Sequence, residues 1–212
     1  MAARKGSSFA RKRATYRPQP RVLILCEDKL SCRVYLEKAA QHFRCRAEVE
    51  VAHPDRTDPA GIVRTAKARR SDYEDVYCVF DRDGHTSFDA ALADAAKAPP
   101  VHVITSYPCY EFWLLLHFGF SRKPYAAAGG RSAADRVISD LRAQHGMADY
   151  GKGAIQAAEL FALLQDRLGR ARVHAHNVLT AAQAENEPNP STKLHTLMDL
   201  FELLGGPVRL DA

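Results

Sequence analysis

Three acidic residues stand where two apolar runs end. Glu27 follows Val22 to Cys26, and Asp81 and Asp83 follow Val76 to Phe80 in the segment Phe80-Asp81-Arg82-Asp83-Gly84. Carboxylates held close together repel, which raises one pKa or recruits a hard cation with oxygen ligands, Mg2+ or Mn2+ being the natural choices. A lone acid at a strand end is ordinarily a helix cap or a solvated loop residue. Three acids at two strand ends make a site if the strands are neighbours, and Glu27, Asp81 and Asp83 are therefore the candidate metal and catalytic residues. His85, two residues past Asp83, titrates near neutrality and suits a proton shuttle or a phosphate contact. Asp81 also opens an Asp-x-Asp-Gly pattern, but the twelfth position is Leu92 rather than Glu, which argues against a calcium loop.

The elements that carry these residues alternate. Val22 to Cys26 is a short unbroken apolar run, the pattern of a strand buried on both faces. Ser31 is placed to cap a helix containing Val34, Leu36, Ala39, Ala40 and Phe43, after which Ala47, Val49 and Val51 alternate with polar residues as a half-buried strand does. Asp58-Pro59 supplies an N-cap and a first-turn proline for a second helix. Val76 to Phe80, a helix over Phe88 to Ala96, a strand over Val101 to Thr105 and an apolar helix from Pro108 to Phe118 complete the series. This βαβαβαβα order predicts a four-stranded, mainly parallel sheet with helices on both faces. In such sheets ligands bind beyond the carboxyl ends of the strands, where strand order reverses, and that is where the three acids fall.

Beyond a Lys/Pro/Ala/Gly linker at Arg122 to Arg131 every periodic segment reads as helix: Ala133 to Gln144, Ile155 to Leu168, Val173 to Glu185 and Thr192 to Leu204. The expected organisation is a basic arm over 1–20, an α/β unit over 21–120 and a helical region over 121–212 packed on it. Glu111, in the first turn after the fourth strand, is either another acid of the site or a favourable charge at a helix N-terminus. His117 reads as a core residue, and Asn189 and Thr192 as a turn and a cap before the last helix.

Several segments together resemble the RloB family. They are Leu25-Cys26-Glu27, Val79-Phe80-Asp81-Arg82-Asp83, the distinctive run Tyr107-Pro108-Cys109-Tyr110-Glu111-Phe112-Trp113-Leu114-Leu115-Leu116-His117-Phe118, and Asn189-Pro190-Ser191-Thr192. A glutamate after the first strand and Asp-x-Asp after the third also resemble the Toprim fold of topoisomerases, primases and related nucleases. The resemblance implies a Toprim-like, Rossmann-like domain, a Mg2+-dependent nuclease acting in bacterial anti-phage defence, a nucleic-acid substrate, RNA or DNA, and a possible ATPase partner encoded nearby. It implies roles for Glu27, Asp81, Asp83 and Glu111, beside which His85 stands as a candidate catalytic residue by its position. The chain departs from the family's Cys-Glu-Gly and Thr-Glu, having Asp28 for the glycine and Cys32 for the second glutamate. Asp28 would either obstruct close approach of a phosphate or add a fourth acid. The second reading is therefore a non-enzymatic nucleic-acid-binding or regulatory subunit with a degenerate site. A phosphotransfer receiver, which also carries acids after its first and third strands, needs a fifth strand with a lysine near its end, and only four strands are expected here.

The 46% hydrophobic and 26% charged composition is that of an ordinary globular chain, and no apolar run approaches the roughly 20 residues of a membrane span, so a cytoplasmic location with no membrane contact is expected. Five cysteines without a Cys-x-x-Cys pair argue for reduced, buried thiols over a zinc site. The net charge of +5 arises in the arm: residues 1–21 hold seven Arg and Lys with no acid, and the remaining chain has fewer basic than acidic residues. Arg4, Lys5, Arg11, Lys12, Arg13 and Arg17 are the candidate nucleic-acid contacts, since such a segment gathers on polyphosphates through counterion release; a solubilising tail is the alternative. Its composition buries too little apolar surface to order itself in isolation. Deletion of residues 1–20 should leave the melting temperature unchanged and flatten the salt dependence of nucleic-acid binding, by about 0.9 in log–log slope for each duplex DNA phosphate that the arm no longer neutralises. An unchanged slope would mean that the arm does not touch the polyanion.

Overall fold

The computed structural model describes residues 19–82, 84–151 and 154–206, without the side chains of 154–158. Five strands form one sheet: β1 (Arg21–Cys26), β2 (Glu48–Ala52), β3 (Asp75–Asp81), β4 (Val101–Tyr107) and β5 (Ser191–Thr192). Their order is β2-β1-β3-β4-β5, with the first four parallel and β5 antiparallel to β4. The expected four-stranded count is thus corrected to five. The fifth strand is two hydroxyl residues long, pairing Ser191 with Tyr107 and Thr192 with Ser106, and it carries no apolar alternation by which a strand could be read from sequence.

Alternation along the strands divides the core. Leu23, Leu25, Val76, Cys78 and Phe80 face one way and pack with α2 (Pro59–Arg69) and α3 (Phe88–Ala96). Val22, Ile24, Cys26, Val79 and Ile104 face the other way, into a larger cluster built from α1 (Cys32–His42) and the later helices. These are α4 (Glu111–Leu115), α5 (Ala133–Arg142), α6 (Ala154–Leu164), α7 (Leu168–Glu185) and α8 (Leu194–Gly205). The helical region is therefore the cover of one whole sheet face. Among the described residues no helix is long and apolar enough to cross a membrane.

Local signals explain most boundaries. Asp58 has extended backbone and its carboxylate accepts the Gly61 N–H at 3.1 Å, with Pro59 in the first turn. Ser132 and Asp135 form a reciprocal capping box on α5. The apolar helix expected over Pro108 to Phe118 is shorter. Only Glu111–Leu115 is α-helical, and His117 and Phe118 close by i−3 bonds to Leu114 and Leu115 at 3.2 and 3.0 Å. Nearly every side chain of this segment is buried, so packing on all sides sets its extent rather than one amphipathic stripe. Conversely α7 begins at Leu168, earlier than Val173, because Gly169 inside it breaks the apolar pattern without breaking the helix.

Replacing Asp58 by Ala removes a first-turn acceptor and should cost about 1 kcal/mol, lowering the melting temperature by about 2–4 °C for a chain of this size. Asp58→Asn should recover most of the loss. A melt indifferent to both changes would show that Pro59 and packing alone set the start of α2.

Candidate active site

β1 and β3 are hydrogen-bonded neighbours, so the order of the sheet reverses between them. The Glu27 N–H extends the ladder by donating to Val79 C=O at 2.9 Å. Its carboxylate then turns across the strand end: Oε2 accepts the Asp81 N–H at 2.9 Å and Oε1 accepts from His85 Nε2 at 2.9 Å. Asp81 lies at the last position of β3, and its Oδ2 accepts the Tyr110 N–H at 3.0 Å, tying β3 to the turn before α4. Glu27, Asp81 and His85 are thus assembled at one end of the sheet, all half-buried. Asp83 lies outside the described residues, as do Arg4, Lys5, Arg11, Lys12, Arg13 and Arg17.

Glu111 sits deeper. It is 1% exposed, and its Oε1 accepts a hydrogen bond from the Tyr150 hydroxyl at 3.2 Å. Burial, and then the Glu111 charge, push the Tyr150 hydroxyl far above its ordinary pKa, so it keeps the proton that it donates to Glu111. The Cys109 thiol is likewise raised, first by burial and then by the charges of Glu111 and Asp81. Glu111 therefore adjoins Asp81 through Tyr110 but stands on the helical side, walled off from water. Behind Asp81, the Ser106 and Thr192 hydroxyls are 3.0 Å apart and buried, and Thr192 Oγ1 accepts the Leu194 N–H at 3.2 Å; Thr192 is a strand residue, and Lys193 rather than Thr192 is the N-cap of the last helix.

Asp28 is engaged in the turn that follows Glu27. Its Oδ1 accepts the N–H groups of Leu30 at 3.1 Å and Cys32 at 2.9 Å, and that of Ser31 between them. It caps α1 in place of Ser31, whose side chain makes no cap bond. Cys32 is buried, and its thiol is held protonated by a hydrogen bond with Cys26 and by burial. His117 is a neutral core residue: burial lowers its pKa to about 4, Nδ1 donates to Trp113 C=O at 3.1 Å and Nε2 meets the Tyr35 hydroxyl at 3.2 Å.

One neighbour is absent from the residues expected on sequence grounds. His53, the residue after β2, sends Nδ1 to Cys26 C=O at 3.1 Å and so flanks Glu27 on the side away from His85. The strand-end argument that selects Glu27 would also have selected His53.

Among the described residues no group of three or more His, Cys, Asp or Glu side chains is arranged to hold a metal ion. Mg2+, however, is commonly held by only one or two carboxylates, the rest of its shell being water and substrate phosphate. Each carboxylate oxygen has two acceptor positions, so Glu27 and Asp81 keep capacity beyond the hydrogen bonds described. The donor chemistry of the pair fits such an ion.

The model of the RloB-like protein family matches residues 22–201, from the first strand to the last helix. The chain belongs to the RloB-like family. No curated protein and no solved structure matches it. In this RloB-like chain the Tyr107 to Phe118 signature supplies Tyr110, whose N–H holds Asp81, and Glu111, which Tyr150 holds. The receiver alternative is not restored by the fifth strand. β5 runs antiparallel and the Lys193 N–H donates to Thr105 C=O at 2.9 Å, so Lys193 leads away from the carboxyl end of the sheet.

Asp28→Ala should lower stability by about 1–2 kcal/mol through loss of the cap, and Asp28→Asn should restore most of it. If calorimetric titration instead found that both variants weaken Mg2+ binding with an unchanged melt, Asp28 would be a metal ligand after all.

Proposed function

We propose that this chain is a Mg2+- or Mn2+-dependent nuclease with a Toprim-like site, acting in bacterial anti-phage defence. The observation that carries the reading is the placement of Glu27 and Asp81 at the carboxyl ends of adjacent parallel strands, joined through the Asp81 N–H. Family membership supports the defence setting, and with it a cytoplasmic location and an ATPase partner. Asp81 and Asp83 are the residues to hold the cation, which when bound polarises the scissile phosphate and lowers the pKa of water. Each Glu27 oxygen accepts one hydrogen bond and keeps a second acceptor position, so Glu27 serves either as a third ligand or as the general base. His85, whose Nε2–H donates to Glu27 at 2.9 Å, has Nδ1 as the ring nitrogen that can take up a proton from the attacking water. Glu111 acts indirectly, fixing the turn whose Tyr110 N–H holds Asp81 in place.

A second reading, a non-enzymatic nucleic-acid-binding or regulatory subunit, draws on Cys32. A buried protonated thiol stands where the family pattern has a glutamate, and it offers no charge to a cation.

Asp81→Asn combined with Asp83→Asn should remove Mg2+-dependent cleavage by about 10³-fold or more, as expected for losing several kcal/mol of charge stabilisation. Asparagine can still accept the Tyr110 N–H, and relief of carboxylate repulsion offsets any loss, so the melt without Mg2+ should be unchanged or slightly higher. Cleavage assays on tRNA, single strands and duplexes, beside melts with and without Mg2+, check both halves. A destabilised but active double variant would sink the mechanism. A wild-type chain inactive on every substrate, with or without its genomic neighbour, would put the binding-subunit reading ahead.

A further inference from the structure

The acids that make the crevice also repel a polyanion, so a phosphodiester site needs cations nearby. Four loops leave the carboxyl end of the parallel strands, and their described cations are Lys29, Arg56 and Arg82. Arg82 is committed to its own loop, stacked 4.8 Å over the Phe88 ring and 4.0 Å from Asp89. Arg33, in the first turn of α1, is paired with Glu37. Lys29 and Arg56 are exposed and make no ion pair among the described residues. Arg56 follows β2 and so stands on the side of Glu27 opposite His85, and Lys29 lies two residues past Glu27 in the loop after β1.

The loop carrying Arg56 is held in place. His53 anchors its start to the C=O of Cys26, the residue before Glu27. Asp58 anchors its end by capping α2. Between them the stem of Arg56 lies on the first turn of α2 so closely that a Cβ at Gly61 would come 2.5 Å from Arg56 Cβ and 2.7 Å from Asp58 Oδ1. Only glycine leaves that space, and it fixes where the guanidinium emerges. Strands in a sheet are about 4.8 Å apart, so the loops after β2 and β3 rise on either side of Glu27, about 10 Å apart across β1.

We propose that Lys29 and Arg56 bind the phosphate backbone of a polynucleotide lying across the carboxyl ends of β2, β1 and β3, an inference that rests on reading the crevice as a phosphodiester site. Contacts of this kind set register and carry no sequence information, so binding is independent of base sequence. His53 is a positioning residue for the loop.

The test is the salt dependence of binding of a fluorescent duplex oligonucleotide to the full chain in Ca2+, which substitutes for Mg2+ while slowing cleavage. Lys29→Ala with Arg56→Ala should lower the log–log slope by about 1.8 and weaken binding about tenfold per residue near about 0.1 M salt, on duplexes of different sequence alike. Arg70→Ala with Lys97→Ala removes the same charge from the other end of the sheet and should leave the slope nearly unchanged. Equal slope changes in the two pairs, no change in the first, or no binding by the wild type overturns the proposal. Because cleavage is not the readout, a selective slope change in a chain that cleaves nothing would sustain this binding surface and discard the hydrolytic reading.

Discussion

The pairing of β1 with β3 is the constraint on which the rest of the molecule depends. Parallel strands cannot be joined by a tight turn, so placing the first strand between the second and third requires one helix crossing on each side. That topology puts the reversal of strand order at the end of β1. The ladder continues past the strand through the Glu27 N–H, and the same residue's side chain then binds the next strand's last N–H. Backbone and carboxylate of a single residue thus fix the relative height of the two strand ends. The candidate site is an extension of the sheet's own hydrogen bonding, which is why its geometry does not rely on a long loop.

Around that point the acids are kept in different environments. Glu27 faces half-open surroundings with a histidine; Asp81 is held by a backbone N–H from the next turn; Glu111 is sealed among Tyr150, Cys109 and the core. Burial and partner identity differ at each of the three, and the thiols behind them are pushed toward their neutral forms. Of these three acids, Glu27 and Asp81 are half-buried and Glu111 is sealed from solvent.

Much of this is legible from residue order. Unbroken apolar runs at Val22 to Cys26 and Val76 to Phe80 mark buried parallel strands, and Asp58-Pro59 marks a helix start, because those signals are local. The adjacency of Glu27 and Asp81 follows from strand-order rules rather than from any contact visible in sequence. What the sequence hides depends on distant partners. Ser191–Thr192 is a strand only because β4 offers it an edge, and Asp28 caps α1 because the chain turns tightly after Glu27, so that a residue four positions before Cys32 overtakes Ser31. His53, by contrast, is legible in the same way as Glu27, since it is the residue that follows a parallel strand next to β1. Tyr150, in a segment without periodicity, meets Glu111 across 39 positions, and no sequence signal announces such a contact.

The unequal covering of the sheet has a consequence for how the chain is made. The face bearing Leu23, Leu25 and Phe80 is closed by α2 and α3, which emerge from the ribosome between the strands they cover. The opposite face waits for α5 to α8, and Phe201 belongs to its core. A nascent chain that has finished its fourth strand therefore holds Val22, Ile24, Val79 and Ile104 with only part of their cover. Such long-range closure is slow and leaves apolar surface open to chaperones in the interval. It also means that the wall behind Asp81, made when Thr192 reaches Ser106, is completed only after α7 has been made, so a shorter nascent chain carries the acids without that wall.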